Sequence, residues 1–124
     1  MTPQQFDKLA EEFRAAEVAL MRWKREDYSP REDVLENFRQ AAGVLGVRPS
    51  LIAATYMLKH VLAVLNAIRE GRYAWEWQLS SGREGLKQRI ADARNYLLLL
   101  AACLDEEHRD TGPTETSPGA AQGG

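Results

Sequence analysis

The chain has 124 residues, 44% hydrophobic and 27% charged, with 16 basic and 18 acidic side chains and a formal net charge of -2. That is a one-domain length with enough apolar material for a single core and an ordinary globular balance. The missing basic excess disfavours direct nucleic-acid binding through phosphates, and a lone Cys103 rules out an internal disulfide and points to a buried, inert thiol in a reducing compartment.

The first predicted helix runs from about Pro3 to Arg25, opened by Thr2 as cap and Pro3 as first residue. Phe6, Leu9, Phe13, Ala16, Leu20 and Trp23 form its apolar stripe at steps of three and four. Asp7, Glu11 and Glu12 interrupt that segment, so it lacks the apolar centre of a signal peptide. The second helix is predicted to start at Ser29, Pro30 and Glu32, a capping pattern, with Val34, Phe38, Ala41, Ala42 and Leu45 as core face and a stop at Gly43 to Gly46.

The third helix spans Pro49 to Gly71 and is apolar nearly all round, which marks a central helix or one shared with a subunit partner. Its longest apolar run reads as too short and too interrupted to span a bilayer, so cytoplasmic location without a membrane is the default. Tyr73 to Trp77 reads as a loop or a short helical turn. A second capping pattern, Ser81 to Glu84, predicts the start of the fourth helix, which runs to about Glu107 with Leu86, Ile90, Ala93, Leu97, Leu100 and Leu104 inward. The expected architecture is all-α, a four-helix bundle over residues 1–108, with a disordered C-terminal tail over 109–124 whose composition cannot offset ordering entropy.

Polar residues sit on these otherwise apolar helices. Lys59 and Asn66 share one strip of the third helix, and His60 lies on the next. Gln88, Arg89, Asp92, Asn95 and Tyr96 share a face of the fourth with Leu99 and Cys103, and Glu84 flanks it. Asp33 and Asn37 line up beside the core stripe of the second. A buried charge needs a partner or a ligand. A cleft where the three strips converge suits a polar ligand or a metal. Taken singly, each residue reads as structural: Arg89 and Asp92 as a surface pair, Lys59 as a side chain reaching water along its stem, His60 as a packed imidazole. One Cys and two His give no zinc pattern, and no Gly-rich phosphate loop is present.

Lys24 to Ser29, Asn37-Phe38, Lys59-His60 and Arg89-x-x-Asp92-x-x-Asn95-Tyr96 together resemble the small helical nucleotide-modification-associated domains of bacteriophages and prophages, which are similar in plan to MazG-like pyrophosphohydrolases. The resemblance covers about residues 20 to 107. It implies a phage-type nucleotide-handling protein of the host cytoplasm that forms a homo-oligomer, and for the pyrophosphohydrolase relatives a magnesium site. Asp33 and Glu36 stand where the first carboxylate pair of those enzymes is expected. The second pair falls on Arg89 and Asp92, where Arg replaces the expected Glu, with Glu84 as substitute. A guanidinium there lowers magnesium affinity and favours direct contact with phosphate, so the hydrolytic chemistry is expected to be degenerate.

Two readings follow. In the first, a nucleotide binds between the helices: Lys59 and Arg89 contact phosphates, with Asn37, His60, Asn95 and Tyr96 around the ligand and Asp33, Glu36, Glu84 and Asp92 holding magnesium. In the second, the chain is a non-enzymatic oligomeric accessory protein that sequesters a nucleotide signal or binds a host protein, and its polar residues fix the register of a subunit interface.

Overall fold

The computed structural model describes residues 1–28 and 33–110. The expected Ser29 to Glu32 cap, the side chains of Trp23 and of the Lys24 to Tyr28 motif, and the tail beyond Asp110 lie outside what is described. Four helices account for the architecture: α1 (Pro3–Tyr28), α2 (Glu36–Leu45), α3 (Pro49–Glu70) and α4 (Leu86–Asp110). The fold is all-α, and a single isolated bridge, Gln78 to Glu84, is the only extended pairing among the described residues.

α3 and α4 form a long hairpin, α2 lies on α3, and α1 lies on α4. The core gathers Leu35, Phe38 and Ala42 with Ile52 and Ala53 of α3 and Leu99 and Cys103 of α4, and Met21 of α1 packs against it. Cys103 is fully buried, and burial pushes its thiol pKa up, as expected for an inert thiol.

Local chemistry explains the helix ends. At the start of α1 the Thr2 backbone N–H donates to Gln5 Oε1 (2.8 Å) and the Gln5 N–H donates to Thr2 Oγ1 (3.1 Å), a reciprocal capping box. α2 and α3 end at Gly46 and Gly71, both left-handed with φ near 71° and 72°.

Two helix starts depart from the sequence expectation. α2 begins at Glu36, because Asp33 builds a turn instead: its Oδ1 accepts the Leu35 N–H (3.0 Å). The phase changes accordingly, so Leu35 is buried where Val34 was expected, and Val34 and Leu45 are exposed. α4 begins at Leu86 rather than at the Ser81 to Glu84 pattern. The Tyr73 to Trp77 segment is a loop laid across that start. Gly85, Leu86 and Lys87 donate their N–H groups to the carbonyls of Trp77 (3.0 Å), Ala74 (2.9 Å) and Glu76 (3.3 Å). Backbone carbonyls thereby satisfy donors that a capping side chain would otherwise take.

The inward face of α4 also differs. Leu97 and Leu104 are half exposed, while Asp92, Asn95, Leu99 and Cys103 are buried. The strip that carries the polar residues is the one that packs on α3. α3 itself is 22 residues long with a mean hydropathy of 1.6 in its most apolar stretch. By length and composition it reaches the range of a membrane-crossing helix, contrary to the shorter run read from sequence, although Lys59 and His60 stand at its centre.

Candidate functional site

The polar strips of α3 and α4 meet around His60. Its imidazole lies flat against the Tyr96 ring, with centroids 5.2 Å apart and planes 17° from parallel. Tyr96 meets Tyr56 edge-on at 5.6 Å and Phe38 at 6.4 Å, so an aromatic cluster from α2, α3 and α4 fixes the imidazole in place. His60 Nδ1 is buried and has no hydrogen-bond partner. Burial holds its pKa below the usual imidazole value; Asp92 and Glu84 oppose that shift, whereas Lys59 and Arg89 reinforce it. Four of the residues singled out from sequence are thus close enough to act on the fifth.

Asp92 is 9% exposed, and its Oδ1 accepts a hydrogen bond from Gln88 Nε2 (3.1 Å). Asn95, one turn further along α4, is fully buried, and neither its Oδ1 nor its Nδ2 has a partner. An orphaned buried amide costs about 1–3 kcal/mol, so this side chain is a deficit in the isolated chain. Lys59 and Arg89 are exposed. Asp92, Lys59, Arg89 and Glu84 thus surround the stacked His60 electrostatically, and the two cations reach the surface while Asp92 and Asn95 are buried on α4.

The remaining expected residues lie elsewhere. Asn37 and Asn66 are exposed. Glu36 accepts from Gln40 on its own helix (3.2 Å). Asp33 is held by Arg39 (2.7 Å), which also pairs with Glu106. Glu106 is 14 residues beyond Asp92 on α4, about 20 Å along a helix. Asp33, Glu36, Glu84 and Asp92 are therefore not gathered into one magnesium set. Among the described residues no group of three or more His, Cys, Asp or Glu side chains is placed to hold a metal ion.

Two clusters were not foreseen. Arg39 pulls the carboxyls of Asp33 and Glu106 below their usual values, beside a depression of about 320 Å³ lined by Arg39, Glu106, Arg109 and Asp110. On the other side, Glu12 accepts the Trp77 indole N–H (2.6 Å) and Lys87 Nζ (3.0 Å), and Phe13 packs on Trp77 at 5.0 Å. Trp77 thus fastens α1 to the loop before α4, while Trp75 stays exposed under Lys87 (5.4 Å). Partners separated by 65 to 75 positions leave no periodic trace in a sequence.

The fold and site define an all-α protein with a partly satisfied polar cluster in its main helical seam. Compared with protein-family profiles, curated proteins and solved structures, the chain matches none. Its functional reading rests on its own residues.

Proposed function

We propose that the chain binds a small phosphate-bearing molecule of nucleotide type in the seam between α3 and α4. The observation that carries the reading is Asn95, a fully buried amide on α4 with both polar atoms unpaired. Buried polar groups in folded proteins are almost always satisfied, so an orphaned amide on α4, with an orphaned imidazole nitrogen on α3, calls for a partner. An amide offers donors and an acceptor side by side and matches the edge of a heterocyclic base. Lys59 and Arg89 supply positive charge for phosphate oxygens, with Arg suited to bidentate contact. The role is binding, and no metal-dependent step is assigned to these residues.

The test is a thermal-shift series with nucleoside mono-, di- and triphosphates, pyrophosphate and inorganic phosphate, each with and without magnesium. A ligand at a hundred times its Kd adds about 2.7 kcal/mol, several degrees for a domain of this size. The shift is expected for at least one nucleotide and to vanish in Lys59→Ala combined with Arg89→Ala. A flat response across the panel, or one indifferent to both substitutions, removes this reading.

A further inference from the structure

The circumference of α3 is apolar well beyond what its neighbours cover. Ile52 and Ala53 are its buried residues. On the opposite side Leu51, Ala54, Leu58, Val61, Leu65 and Ile68 recur at alternating steps of three and four, the a/d pattern of a helix–helix seam. The five large ones are between 41% and 58% exposed. A helix that is hydrophobic all round is normally buried, and here the large side chains along one long side of it stay about half exposed among the described residues.

We infer that this side of α3 is an interface between two copies of the chain, with α3 packed antiparallel on α3. The pattern reads the same from either end. Leu51 falls opposite the second copy's Ile68, Ala54 opposite Leu65, and Leu58 opposite Val61, about a two-fold axis level with the peptide joining Lys59 and His60. Such self-complementarity is what an isologous dimer requires. A parallel pairing would set Arg69 against its own copy and align helix dipoles unfavourably.

The exposed parts of the five large side chains amount to on the order of 450 Å² per copy. Adjoining Leu62, Thr55 and the stem of Lys59 bring the strip toward the ~800 Å² per partner of a standard interface. Lipid is the poorer occupant, because Lys59 would stand at the bilayer centre. Beside a protein seam its amine stays in water. The two hairpins together make a four-helix bundle of the two α3–α4 pairs. This inference does not depend on nucleotide binding.

Sedimentation and light scattering of the full chain test it. Wild type is expected at twice 14.0 kDa, and Leu58→Glu combined with Leu65→Glu at the monomer mass with an unchanged helical circular-dichroism spectrum. A monomeric wild type across the micromolar range overturns the inference. So does a dimer that survives both glutamates, or a wild type recovered only on neutral phosphatidylcholine vesicles. Should the glutamate variant fail to fold, Leu58→Cys combined with Val61→Cys decides. Oxidation must give a covalent dimer, and its absence overturns the antiparallel seam.

Discussion

The imidazole of His60 rests flat on the phenol ring of Tyr96, 5.2 Å between centroids, with its Nδ1 sealed from solvent and unpaired. That packing favours the neutral ring, so the folded chain holds its proton less tightly than the unfolded one. Below the ordinary imidazole pKa of about 6.5 the unfolded state takes up the proton first, and stability falls with pH until the folded-state value is passed. Above about pH 7.5 the contribution is constant. The melting temperature of the wild type is therefore expected to climb between pH 5.5 and 7.5 more steeply than that of His60→Phe. Parallel curves for the two proteins would show that the ring does not titrate against burial.

Asn95 carries the opposite expectation for stability and binding. Asn95→Leu keeps the branched heavy-atom skeleton and removes two unsatisfied polar atoms, which should stabilise the ligand-free chain by about 1–2 kcal/mol. The same change should abolish the nucleotide-induced thermal shift. Urea unfolding measures the first effect and the thermal-shift panel the second. Destabilisation without ligand would mean that the amide is already satisfied in solution.

Gly85 is required by its neighbour. A Cβ there would stand 1.9 Å from the Glu76 carbonyl oxygen and 2.6 Å from the carbonyl carbon. Both are backbone atoms and cannot swing aside. Gly85→Ala should cost about 2–3 kcal/mol, in the range of overpacked cores, and Gly43→Ala, which meets nothing within 4 Å, should not destabilise. Equal midpoints in chemical denaturation would contradict this.

Arg39 joins Asp33 to Glu106, but all three are 35–40% exposed. Solvent screening limits such pairs to about 1 kcal/mol or less. Arg39→Ala should lose no more than that, and the loss should shrink in 1 M salt. A large, salt-independent loss would assign the arginine to packing rather than to charge.

α1 and α3 are legible in the sequence, because their stripes and their Pro and Gly boundaries act locally. The starts of α2 and α4 are not, since a capping pattern competes with contacts from afar. Asp33 supplies a turn of its own, and the loop carbonyls of Ala74, Glu76 and Trp77 take the α4 donors. The inward face of α4 was misread for a related reason. Hydropathy alone sends Leu97 and Leu104 inward, whereas docking on α3 buries Asp92 and Asn95. Lys59, His60, Arg89 and Asp92 come near one another because a hairpin of two helices brings their strips into register, and Glu84 reaches the same place from the residues just before α4. Asp33 and Glu36 have their partners elsewhere because the position of α2 along α3 is a tertiary fact with no signature in either segment.

Trp77 serves two elements at once, giving its indole N–H to Glu12 and its carbonyl to Gly85 at the threshold of α4. The N-terminal helix is in this sense a clasp on the α3–α4 hairpin. Removing α1 should speed amide exchange at Gly85, Leu86 and Lys87, so disturbance at one end of the chain would surface at a site more than seventy positions away.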